Sequence, residues 1–189
     1  MRTILMIFWM ALLPISLSNA GIVRVPEDYP SIQAGINAAV NGDTVLVNDS
    51  TYFENINFRG KAITVASYFL TDGDTTHIHN TIINGRLPSH PDSGAVVTFF
   101  SGEDTTSVLS GFTITGGSGT TLSPFLENGK GGGGIFCWNS GPKLYHNIIT
   151  QNTIAGVDFA IGGGVFASEQ VNLFRLILKN NVISSNIID

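Results

Sequence analysis

Apolar residues along this chain fall in many short runs and almost nowhere in long helical stripes. One segment has helical spacing: after Tyr29-Pro30-Ser31 come Ile32, Ile36, Ala39 and Val40, with Ser31 placed to cap the start and Gly42 to stop the run. That pattern predicts one α-helix and no other. From Asp43 onward the period shortens, and Thr44 to Val47, Asn55 to Phe58 and Ala62 to Val65 alternate polar with apolar positions, as half-buried strands require.

Later segments repeat one another. Asn147-Ile148-Ile149-Thr150-Gln151-Asn152 returns as Asn181-Val182-Ile183-Ser184-Ser185-Asn186, an offset of 34 residues, and Phe112-Thr113-Ile114-Thr115-Gly116-Gly117 is a looser copy 35 residues earlier. A second element, Gly133-Gly134-Ile135-Phe136-Cys137, returns as Gly163-Gly164-Val165-Phe166-Ala167 at an offset of 30. A unit of that length made of short strands and turns cannot close a core by itself, whereas stacking each copy on the next buries a shared apolar column. The pattern therefore predicts an all-β solenoid in which strands keep register and loops vary in length, with Gly116 to Gly132 as such a loop.

Several stretches carry a resemblance. Val25-Pro26-Glu27-Asp28-Tyr29-Pro30-Ser31-Ile32-Gln33-Ala34, Gly42-Asp43-Thr44-Val45-Leu46-Val47, Tyr52-Phe53-Glu54-Asn55 and Lys61-Ala62-Ile63-Thr64 resemble the N-terminal part of secreted bacterial proteins of the pectin-lyase-like superfamily. Gly132-Gly133-Gly134-Ile135-Phe136-Cys137 followed by Asn139-Ser140-Gly141-Pro142 resembles their coil motif. The resemblance implies a right-handed parallel β-helix whose N-terminal helix covers the open first coil, where bare strand edges would otherwise recruit other chains. The expected organisation is a signal peptide over 1–20, a strand and capping helix over 21–43, and coils over 44–189. Because Asp189 follows Asn186 by three residues with no cap in sight, the expectation is a fragment of a longer protein, or a last coil covered by something else.

Composition adds the export signal. Met1-Arg2-Thr3, the apolar stretch Ile4 to Leu17 and the small residues Ser18 and Ala20 make a secretory signal peptide, too short and too interrupted at Pro14 for a bilayer span. Its removal takes Arg2, leaving 8 basic against 14 acidic side chains. That balance argues against nucleic acid as a partner. No later segment reads as a membrane span. With Cys137 the only cysteine, an internal disulfide is impossible. The charged fraction of 12% is about half the usual value, so large stacked surfaces are expected.

Candidate chemistry is sparse. The equivalent positions Asn147 and Asn181, and Asn152 and Asn186, read as a polar ladder of stacked amides in preference to ligands. If Ile135 and Cys137 point inward, Phe136 and Trp138 point outward, with Phe166 one coil away. Such a row is either a platform for sugar rings or an aromatic stack serving stability, and the stack is the favoured reading. Val157-Asp158-Phe159-Ala160-Ile161-Gly162 is similar to the stretch of pectin methylesterases that carries a catalytic aspartate, which would make Asp158 a nucleophile. Upstream, where that family has a Gln-Asp pair, this chain reads Ile135-Phe136-Cys137-Trp138 and offers no carboxylate. Arg86-Leu87-Pro88 resembles the arginine-x-proline of pectate lyases, but that family's next arginine falls on Pro91.

The acidic groups Asp72, Asp74 and Glu103, Asp104 read as solvated loop charge. His77 and His79, an i, i+2 pair on a strand, supply two ligands where zinc needs three or four, so with His90 and His146 they read as surface histidines. No metal or other cofactor is implied by the residues, and whether calcium rigidifies the loops is left open. The expectation is a secreted or surface β-helix module that binds polysaccharide or another envelope component, or serves structurally. The alternative is a polysaccharide lyase, hydrolase or esterase whose active residues lie beyond Asp189.

Overall fold

The structure, a computed structural model, describes residues 20–90, 92–122, 127–169 and 174–189. The expected signal peptide therefore lies outside the described residues up to position 19, as does Pro91. Three stacked parallel sheets make the body. The first holds β1 (Ile22–Val25), β2 (Thr44–Val47), β5 (Thr64–Ser67), β9 (Val108–Ser110), β14 (Lys143–Tyr145) and β19 (Ile177–Lys179) in that order. In the second, β3 (Ser50–Tyr52), β6 (Thr81–Asn84), β10 (Thr113–Thr115), β15 (Ile148–Thr150) and β20 (Val182–Ser184) follow one another. The third holds β4 (Ile56–Asn57), β8 (Val97–Phe99), β13 (Ile135–Trp138) and β18 (Val165–Ser168). From β2 onward the chain visits first, second and third sheet in the same order on every circuit, an arrangement consistent with a β-solenoid.

Register sits where the repeats place it. Ile149 pairs with Ile183 and Ile114 with Ile149, while Ile135 pairs with Val165. Because every pair is parallel and in register, one inward position per strand becomes a column. Val45, Val65, Leu109 and Leu144 stack in the first sheet, Tyr52, Ile83, Ile114 and Ile149 in the second, and Ile56, Val97 and Ile135 in the third. All are buried in one core cluster. Each such side chain contributes about 1.5–3 kcal/mol. The columns run into the last coil, where Leu178, Val182, Ile183, Ile187 and Ile188 stand about half exposed.

The N-terminal helix α1 (Ile32–Ala38) forms as its spacing predicts, with Ser31 Oγ accepting from Ala34 N at 3.1 Å. It ends at Ala38, four residues before Gly42, because the Lys61 ammonium captures its terminal carbonyls and Asp43 takes the N–H of Val40. Two short helices were not expected: α2 (Phe69–Asp72) and α3 (Thr76–Asn80) fill an insertion between β5 and β6. They put His77 and His79 on a helix, correcting their assignment to a strand. The third strand of the sequence reading also shifts, from Ala62–Val65 to Thr64–Ser67.

The stretch 116–132 is more than a loop. It contributes β11 (Gly119–Thr121) and β12 (Gly129–Gly131), an antiparallel pair extended by β7 (Ser93–Gly94) and β17 (Phe159–Ile161) into a fourth sheet. Residues 123–126 within it lie outside the described residues. A fifth, two-stranded sheet joins β16 (Thr153–Ile154) to β21 (Ile187–Ile188). Among the described residues no helix is long and apolar enough to cross a membrane.

Candidate functional site

Outward positions of the third sheet form a floor. Asn57, Thr98, Phe136 and Phe166 are in register from β4 to β18, so this row changes from polar to aromatic along the stack. The fourth sheet forms a wall beside it. Leu122 packs with Phe136 and Ala95 into a small cluster, against which Trp138, Ile161 and Phe166 rest. Phe136 is consequently only 2% exposed, a packed member of the favoured aromatic stack and not an open platform ring, because the floor at that point is roofed by the unexpected β11–β12 pair. Its neighbours remain partly open. Phe166 stacks on Phe136 at 5.3 Å and on Trp138 at 6.3 Å, and Phe100, 54% exposed, stacks on Phe136 at 6.3 Å.

At the polar end the floor deepens into a cavity of about 350 Å³. Gln33 of α1, Asn57 of β4, Thr98 of β8 and Thr120 of β11 line it, with Arg59 and Ser93 also on its wall. The helix is seated there by side chains of the first coils. Glu54 accepts from the Ile32 and Gln33 amides, both at 2.9 Å, and Gln33 Oε1 accepts from Asn57 N at 2.7 Å. Gln33 Nε2 then donates to Asn37 Oδ1 and to the Asn57 carbonyl.

Elsewhere the polar residues hold the stack together. Asn147 and Asn152 form the expected ladder: the Asn147 amide donates to Asn181 Oδ1 at 3.1 Å and the Asn152 amide to Asn186 Oδ1 at 2.9 Å. Glu103 differs from its expectation. It is 1% exposed, accepting from Gly60 N, Ser101 N and Ser140 Oγ, each at 2.8 Å, so its carboxylate ties three successive coils. Donors from above and below replace the water that a solvated loop acid would keep. Cys137 is buried in the core, and burial, with the Glu103 charge nearby, pushes its thiol far up.

His77 gathers what the sequence scattered. Its Nδ1 lies 2.6 Å from Asp49 Oδ1 and its Nε2 3.1 Å from Asp72 Oδ2. The Asp49 hydrogen bond, more than the burial that opposes it, raises the His77 pKa, and Asp72 adds to it. Burial works to raise Asp49, yet hydrogen bonds from His77, Thr81 and Asn80 outweigh it and leave the carboxyl lowered. Asp49 had no signal in the sequence, because it lies 28 residues from its partner in a polar turn.

Among the described residues the catalytic resemblances gain no second acid or base. Asp158 is exposed in the turn before β17, its amide bound to the Asn128 carbonyl. Arg86 lies over the Phe53 ring at 4.5 Å, a cation–π contact. Among the described residues no three His, Cys, Asp or Glu side chains gather as metal ligands. No protein-family profile, no curated protein and no solved structure matches this chain.

Proposed function

We propose that the chain is an exported, right-handed parallel β-helix of the pectin-lyase-like kind that binds carbohydrate along the outer face of its third sheet. Parallel connections within one sheet are right-handed in about 98% of cases, which supports the handedness. The observation that carries the binding reading is the floor itself. Partly open rings of Phe100, Trp138 and Phe166 lie on the same outer face as a polar cavity, so apolar sugar faces and sugar hydroxyls would meet matching surfaces on one face. Phe136, roofed by Leu122, serves as the packed base under those rings. The alternative, a polysaccharide-modifying enzyme, would need a carboxylate pair near the floor, and among the described residues Asp158 is hydrogen-bonded to no second carboxylate.

The test is affinity electrophoresis and calorimetry against pectin, polygalacturonate and neutral glucans, with parallel assays for unsaturated products and released methanol. Binding that falls roughly twofold to tenfold in Phe100→Ala and Trp138→Ala, with no product formed, is the expected result, since each stacked ring contributes about 0.5–1.5 kcal/mol. Turnover of any polymer would replace the binding reading with the enzymatic one. Silence on every glycan would remove the carbohydrate role.

A further inference from the structure

The cavity at the polar end of the floor has an unbalanced set of hydrogen-bonding groups. Three of its acceptors are used internally, Gln33 Oε1 by Asn57 N, Asn57 Oδ1 by Arg59 N at 2.7 Å, and Thr120 Oγ1 by Ala95 N at 3.3 Å, whereas Asn55 Oδ1 is buried away from solvent. The Gln33 amide donors are used as well. What is left unspent on the wall, among the described residues, is the Asn57 side-chain NH₂, the Arg59 guanidinium and hydroxyls from Thr98, Thr120 and Ser93. Among the described residues no carboxylate lines the cavity. Asn55, also on the wall, donates to the Ala95 carbonyl at 2.8 Å while its buried Oδ1 has no donor.

A wall of donors and hydroxyls with one cation discriminates among ligands. A cation would meet the guanidinium and no counter-charge. A neutral sugar would engage the hydroxyls but leave the exposed guanidinium to water, gaining nothing from the one charge on the wall. An oxyanion accepts from every unspent donor, and its planar or tetrahedral oxygens suit the fork of an arginine. The volume, about 350 Å³, is at the small end of ligand sites and fits one sugar-sized unit.

We propose that this cavity binds the oxyanion substituent of a small polyhydroxylated ligand, with Arg59 as the charge partner, Asn57 and Thr98 as donors, and hydroxyls from the ligand meeting Thr120 and Ser93. Carboxylate, sulfate and phosphate share this chemistry. The inference rests on the glycan reading for the polyhydroxylated part, because the cavity is the polar end of the same floor. The anion part stands on the donor inventory alone.

The experiment is an amide and side-chain NMR titration of the nitrogen-labelled protein with sodium sulfate, sodium phosphate, glucuronate, glucose 6-sulfate and glucose. Shifts of the Arg59 Nε–H and the Asn57 side-chain amide with the anionic probes and none with glucose are expected. Arg59→Gln should weaken the anionic probes at least tenfold while Arg59→Lys keeps part of the affinity, and Thr98→Val should weaken them less, with the remaining spectrum unchanged. Absence of any shift by about 50 mM anion, equal affinity in Arg59→Gln, or glucose binding as well as glucose 6-sulfate would overturn the proposal. If inorganic sulfate binds as tightly as glucose 6-sulfate, the polyhydroxylated ligand is wrong. The inorganic arms read the cavity alone and the Phe100 and Trp138 variants read the rings, so the two proposals fail separately.

Discussion

Single residues at the corners show how tightly the backbone is specified. Gly111, His146 and Asn180 occupy one left-handed corner in successive coils, and Gly116, Gln151 and Ser185 occupy the next, with φ between 54° and 83°. An L side chain in that conformation costs about 1–2 kcal/mol. The exposed Gln151, at φ 54°, is thus a place where glycine is the better residue. Gln151→Gly should stabilise the protein by about 0.5–1 kcal/mol after the entropy of the unfolded chain is counted, and Gln151→Val should destabilise it by about 1–2 kcal/mol, both read from chemical denaturation. His77 makes the second prediction at this scale. Its folded pKa is raised by Asp49 and Asp72, so its stabilising contribution is complete below about pH 6.5 and is lost as pH rises through the folded-state value. Amide exchange across Tyr68 to Asn80, corrected for its intrinsic pH dependence, should quicken as pH rises above about 6.5, and His77→Gln should abolish that change. An equal change in both proteins would contradict the tether.

Elements are stable here because other elements hold them, and α1 is the clearest case. It has no acidic residue in its first turn and no basic residue in its last. Both charges arrive from the coils beneath: Glu54 accepts two amides at its start, and Lys61 donates to the carbonyls of Ile36, Asn37 and Ala39, each at 2.7 Å. Lys61→Met should therefore cost about 1–2 kcal/mol and loosen α1 before the sheets, seen as faster exchange at Gly35 and Ala39 than at Val65. This seat also explains what was legible. Helix start, strand alternation and coil register could all be read from local periodicity, because each depends on residues within one turn or one repeat. The end of α1 at Ala38, the short α2 and α3, the β11–β12 roof over Phe136 and the burial of Glu103 depend on partners in other elements, 11 residues away between Thr120 and Gly131, 43 between Gly60 and Glu103 and further still between Phe69 and His146, and no local pattern records them.

At the scale of the whole molecule, parallel stacking is what turns separate repeats into one surface. Asn57, Thr98, Phe136 and Phe166 are each unremarkable in sequence, and they become a floor only because β4, β8, β13 and β18 lie in register. The candidate rings were found in the sequence by that same repeat logic. The cavity at the polar end was not, because Gln33 of α1 and Ser93 and Thr120 of the fourth sheet, which complete its wall, belong to different parts of the repeat. Every functional proposal therefore depends on the stack. Its most direct test is a methyl NOE spectrum of protein labelled at the isoleucine δ-methyls. Stacking predicts cross-peaks from Ile149 to both Ile114 and Ile183, neighbours about 5 Å apart along the strand-to-strand direction. Cross-peaks from Ile149 to neither residue would contradict it.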